Sequence, residues 1–175
     1  KILAHYFARS YLHKKKSMKY AVVLFLMTLM VSCNSNDADN NAPIQEPFDY
    51  SEINEQDINA YLTANDLVSI KTESGLHYII ENQGDGAKPS ASSNVTVAYK
   101  GYFLNGTVFD ESSAAGLDFG LNEVIKGWTE GIALFNEGGN GILLVPAHLG
   151  YGSFNYSSIP GGSVLVFDIN LISVN

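Results

Sequence analysis

Positive charge is scarce in this chain, and it is unevenly placed. Six of its ten basic residues, Lys1, Arg9, Lys14, Lys15, Lys16 and Lys19, stand before position 20, and no arginine follows Arg9. From Cys33 onward four lysines face all 18 acids, a formal charge of −14. So acidic a surface repels phosphate backbones and argues against nucleic-acid binding. Cys33 is the only cysteine, which excludes an internal disulfide. Long apolar runs are missing too: the uncharged stretch 20–31 has 12 residues, too few to cross a bilayer as a helix. His77 and His148 have no Cys or carboxylate pattern around them that would suggest a metal site. Ser112-Ser113 lacks a nucleophile elbow, and no glycine turn leads into a helix through Lys-Ser/Thr as a phosphate loop would. Metal, nucleophilic and nucleotide chemistry thus find no support, and no cofactor is expected.

The front of the chain has the build of an export signal. Met18 and Lys19 precede the apolar run, and small Ser32 with Cys33 closes it. Residues 1–17 read as an upstream segment outside the fold. Leu29-Met30-Val31-Ser32-Cys33 resembles the lipobox of bacterial lipoproteins. That resemblance implies a signal over 18–33, lipidation of Cys33 and attachment to a membrane through the acyl chains. Residues 34–50, rich in Asn, Asp, Ser and Pro, read as a disordered tether. Residues 51–70 change character. Ser51 and Glu52 suit a helix start, and Ile58, Tyr61 and Leu62 fall at i, i+3, i+4. One short amphipathic helix over 52–65 is expected, either docked on the domain or offered to a partner.

From Lys71 the pattern turns to strands. Residues 76–81, 95–103, 117–121, 142–145 and 164–174 are the strand candidates. Asn105-Gly106 signals a type I′ hairpin between Phe103 and Val108. Ile125, Trp128, Ile132 and Phe135 mark one buried face of a short helix ending at Gly138-Gly139. Gly127 and Gly131 would let that helix lie close to a sheet. The expectation is an α+β domain over 71–175, an antiparallel sheet wrapped around one short helix.

Three segments concentrate aromatic and aliphatic residues: 95–110, which ends Val108-Phe109-Asp110; Glu123-Val124-Ile125-Lys126-Gly127-Trp128; and Leu165-Val166-Phe167-Asp168. Together they resemble the FKBP-type peptidyl-prolyl cis–trans isomerases, over about residues 72–175. The resemblance implies an apolar pocket that holds proline. Trp128 would be its floor, Phe109 and Phe167 its walls, and Tyr99, Val124, Ile125 and Ile159 further lining. Leu117 occupies a place where the family often has an aromatic. Tyr151 would donate its hydroxyl to a substrate carbonyl, and Asp110 would stand at the pocket edge. With no arginine at hand, Asp110 would be held mainly by Tyr99. Asp168, on the strand face opposite Phe167, reads as structural.

The implied activity is isomerisation of prolyl bonds in unfolded or partly folded exported proteins, by a lipid-anchored monomer of the bacterial envelope. One rival reading is a module that binds proline segments, or acts as a chaperone, without useful acceleration. Another is a structural lipoprotein whose helix mediates assembly.

Overall fold

The computed structural model describes residues 46–175. The upstream segment, the signal with Cys33 and most of the expected tether lie outside the described residues. The elements are α1 (Ser51–Ala64), β1 (Ile70–Lys71), β2 (His77–Asn82), β3 (Asn94–Phe103), β4 (Val108–Glu111), β5 (Leu117–Gly120), α2 (Lys126–Ile132), β6 (Asn140–Val145), a 3-10 turn (Ala147–Leu149) and β7 (Leu165–Val174). The strands form one antiparallel sheet in the order β1-β2-β6-β7-β3-β4. The long strand β3 splits its outer edge, with Asn94–Val97 pairing β5 and Lys100–Tyr102 pairing β4. That division puts the end of β4, with Phe109 and Asp110, and the end of β5, with Phe119, on one side of the same strand.

Alternation along β7 explains how one sheet carries two cores. Leu165, Phe167, Ile169 and Leu171 are buried with Val95, Val97, Trp128, Ile132 and Phe135 on the concave face. Val166 turns the other way and meets Ile58, Leu62 and Leu144. The second group is the seat of α1, whose buried residues are Asn54, Ile58 and Leu62. The helix is therefore docked on the sheet. Burial of Ile58 and Leu62 contributes roughly 1.5–3 kcal/mol each. α1 also clamps the sheet margin, where Glu55 accepts from Lys71 at 2.8 Å and lies 3.2 Å from His77 Nε2.

On the concave face α2 lies almost against β6. A Cβ on Gly127 would collide with Val145, and one on Gly131 with Leu143. Only glycine allows that approach.

Three local expectations need correction. The β3–β4 connection is not type I′, because that turn requires positive φ at both central residues. Only Gly106 has it, at +82°, and Gly106 N donates to Phe103 O while Phe103 N donates to Thr107 O. This is a three-residue loop with a glycine bulge. Second, α2 stops at Ile132, well before Gly138-Gly139, and Phe135 reaches the core from the following turn. Third, the end of the expected tether is not free. Phe48 O accepts from Ser153 Oγ at 2.6 Å, fixing the arm against the loop after the 3-10 turn.

Candidate active site

Between the mouth of the sheet and the N-terminal end of α2 lies a pocket of about 320 Å³. Tyr99, Phe109, Asp110, Phe119, Val124, Ile125, Trp128, Tyr151 and Phe167 line it, with Glu123 and Tyr156 at its margin. Trp128 is 4% exposed and meets three rings edge to face: Tyr99 at 4.9 Å, Phe119 at 5.3 Å and Phe167 at 5.3 Å between centroids. Phe109 stands perpendicular to Phe167 at 5.7 Å. Edge-to-face pairs contribute ~0.5–1.5 kcal/mol each beyond burial, so the rings hold one another in fixed orientation. Gly101 makes room for them. A Cβ there would lie 2.7 Å from Phe109 Cζ and 2.9 Å from Phe167 Cε1.

The polar groups sit at the rim. Tyr99 donates its hydroxyl to Asp110 Oδ2 at 2.7 Å, the contact anticipated from the missing arginine. Burial, and then Asp110, push the Tyr99 hydroxyl well above its ordinary pKa. Burial, followed by the nearby Tyr156 and Asp110, raises that of Tyr151. Both stay protonated donors at neutral pH. The Trp128 indole Nε1–H is the one buried side-chain polar atom without a partner among the described residues. A donor left so loses its hydration without compensation.

The structure thus brings Tyr99, Phe109, Asp110, Val124, Ile125, Trp128, Tyr151 and Phe167 to one pocket. Ile159 is buried in the same core cluster as Trp128 and Phe167 and is not on the open lining. Leu117 is outside: it pairs with Val97 at the start of β5 and is about half exposed. The aromatic at that strand is Phe119, two residues on and on the same strand face. Sequence reasoning missed it because Leu117 and Phe119 share the period-two pattern and only the pocket distinguishes them. Asp168 accepts from Tyr102 at 2.9 Å, away from the pocket, as a structural residue would.

Asn54 was also missed. It is 1% exposed, accepts from Ala147 N at 2.7 Å and donates to Gly162 O at 2.8 Å. One α1 side chain therefore ties both ends of the loop that carries Tyr151, Tyr156 and Ile159. A polar residue on the buried face of an amphipathic helix was the available signal.

A model of the FKBP-type peptidyl-prolyl cis-trans isomerase domain matches residues 85–172. That span is half of the chain and contains every pocket residue named above. The chain belongs to the FKBP family. Among relatives, the FkpA isomerase of Aeromonas hydrophila is 46% identical over 105 residues, 59% of this chain and 39% of that protein. The 22 kDa FKBP-type isomerase of Escherichia coli is 42% identical over 106 residues, again 59% of this chain and 52% of its own. The chain thus spans only about two fifths to one half of the curated relatives it matches. The crystal structure of Escherichia coli FkpA superposes with a TM-score of 0.64 at 34% identity, covering 71% of this chain and 61% of that one. An isomerase structure from Pseudomonas syringae gives 0.62 at 27% identity, with 71% and 96% covered.

Proposed function

We propose that this FKBP-family chain accelerates cis–trans isomerisation of X–Pro bonds. The observation that carries the reading is the aromatic pocket itself: the rings of Tyr99, Phe109, Phe119, Trp128, Tyr151 and Phe167 line a small space, with Asp110 and the Tyr99 and Tyr151 hydroxyls at its edge. Rotation about an X–Pro bond meets a barrier of ~18–20 kcal/mol and takes tens to hundreds of seconds unaided. At the twisted transition state nitrogen no longer conjugates with the carbonyl, and charge separation falls. Water favours the more dipolar planar amide, so a dry pocket that seats the pyrrolidine ring favours the twisted form. The Tyr151 hydroxyl is the donor for a substrate carbonyl. Asp110, oriented by Tyr99, is the edge acceptor beside it. Lowering the barrier by ~7 kcal/mol would raise the rate about 10⁵-fold.

The finer reading adds place and clients. A lipobox-like Cys33 after the 12-residue run supports a lipid-anchored protein of the bacterial envelope, acting on prolyl bonds of unfolded or partly folded exported proteins. The relatives named FkpA support isomerisation as the activity. Intact-mass analysis of membrane-extracted protein tests the anchor: the mature chain starts at Cys33 and carries acyl mass. A soluble, unmodified chain starting elsewhere would remove the anchor. For the activity, a protease-free prolyl-peptide assay on residues 34–175 tests the reading. Acceleration is expected, with inhibition by proline peptides carrying a large apolar residue before proline. Tight binding of such peptides with no acceleration would favour the binding-module reading instead.

A further inference from the structure

We propose that the arm before α1 extends the substrate surface beyond the prolyl pocket, forming an aromatic shelf for an apolar side chain elsewhere in an unfolded polypeptide. The inference rests on the isomerase reading and specifies its substrate: an extended, apolar-rich chain longer than the prolyl dipeptide.

The observation is a set of exposed rings on the loop that leaves the pocket rim and on the arm tied to that loop. Tyr151 lines the pocket and stacks on Tyr156, with centroids 4.6 Å apart and planes 12° from parallel. Tyr156 is 58% exposed, and Phe154 in the same loop 53%. Ser153, beside Phe154, fixes Phe48 O through its hydroxyl. Phe48 is 56% exposed although its own carbonyl is held by Ser153. Its ring packs edge-on against Tyr50 at 4.7 Å. The Tyr50 ring lies so close over Gly162 that a Cβ there would collide with it.

Four large rings along one loop and one arm are more apolar surface than a solvated loop needs, and surface of this kind marks binding sites. The arm spends hydrogen bonding and packing to hold Phe48 in place while leaving its ring in water. That is preorganisation, which lowers the ordering cost of binding. The Tyr151–Tyr156 stack joins the loop to the pocket, and the Ser153–Phe48 hydrogen bond joins the arm to that loop, so the occupant is the segment flanking a seated proline. The shelf offers exposed rings, with the Glu46 and Asp49 carboxylates beside Phe48, so it reads apolar or aromatic side chains without demanding a particular sequence.

The test compares a four-residue prolyl peptide with 12-residue peptides carrying one Phe at successive positions on either side of proline, using residues 34–175. The shelf predicts that one register raises kcat/KM relative to the short peptide, through KM rather than kcat. Phe48→Ser should cut that long-to-short ratio about fivefold, and Phe154→Ser should act similarly. Ser153→Ala, which releases the arm while keeping every ring, should lower the ratio to a smaller degree. Peptide Kd by fluorescence anisotropy, measured in parallel, reads the shelf independently of turnover. An unchanged ratio and Kd in both Phe variants would overturn the shelf while leaving the pocket reading intact. Absence of acceleration on the short peptide, with Phe48-dependent Kd retained, would overturn the isomerase reading and keep the shelf. Loss of the folded circular-dichroism spectrum in both Phe variants would make the rings structural and would overturn the shelf as well.

Discussion

Replacing Asn54 by Ala should reveal how far α1 governs the loop that carries Tyr151. The Asn54 side chain makes two buried hydrogen bonds, to Ala147 N and to Gly162 O, which bracket the loop bearing Tyr151. Ala cannot replace either one. Each bond contributes about 1 kcal/mol net, but a buried group left unpaired costs ~1–3 kcal/mol, and Ala147 N is buried. The expected destabilisation is therefore about 2–4 kcal/mol. For a folded body of this size that is a fall in Tm of roughly 10 °C. Urea unfolding followed by Trp128 fluorescence gives the free energy directly. Asn59→Ala is the control, since Asn59 lies exposed on the same helix and its side chain donates to Glu55 at 3.2 Å. A second readout concerns function: with its ends untied, the loop should hold Tyr151 less firmly, and kcat/KM should drop by more than the unfolded fraction explains. An Asn54→Ala protein within 0.5 kcal/mol of the Asn59→Ala control would refute the reasoning that these bonds are buried and satisfied.

Gly101→Ala should narrow the pocket, because the new Cβ would press on Phe109 and Phe167. Overpacking of this kind costs ~1–3 kcal/mol, and displaced walls should lower kcat/KM about ten- to hundredfold, measured by stability and activity side by side. The pH dependence of stability should show Glu55. Lys71 first, and then His77, hold its pKa below the ordinary carboxylate value of 4.5. Its contribution is therefore complete above that value and is lost as pH falls through the lower folded-state pKa. Glu55→Gln should flatten the acid limb of a Tm-against-pH curve without altering the neutral plateau's shape. At the alkaline end, Tyr99 and Tyr102 have raised pKa values, through burial first and then Asp110 and Asp168. Their contribution is present below about pH 10, the ordinary phenol value, and falls as pH rises further. kcat/KM should accordingly stay flat from about pH 6 to 9, since the hydroxyl donors do not ionise there.

The concave face of the sheet was legible because its signals are local and periodic. Alternation in 95–103 and 164–174 and the Ile125–Trp128–Ile132 spacing each report which side chains share a side. The glycines at 127 and 131 announced a close approach that the Val145 and Leu143 contacts then explain. What escaped depends on contacts between distant segments. Leu117 and Phe119 are equivalent by alternation, and only the position of β5 against β3 decides which one faces the pocket. The turn at Asn105-Gly106 has a composition compatible with two geometries, and the pairing of Phe103 N with Thr107 O is that of the one-glycine form. Asn54 and Phe48 act through atoms about a hundred residues away. Their side chains look like an ordinary helix polar residue and an ordinary linker aromatic until the loop they hold is in view.

The central claim is that a seated prolyl bond is turned by this pocket and its rim. Protease-free isomerisation kinetics of the wild type beside Tyr151→Phe and Asp110→Asn test it most directly. The first variant removes one hydroxyl at nearly constant volume, and the second removes a charge at nearly constant shape. The account predicts clear acceleration by the wild type and a three- to thirtyfold loss of kcat/KM in each variant, about 0.7–2 kcal/mol of transition-state stabilisation. Unfolding free energies should change by less than about 1.5 kcal/mol. A wild type no faster than buffer, or two variants as active as the wild type, would contradict it.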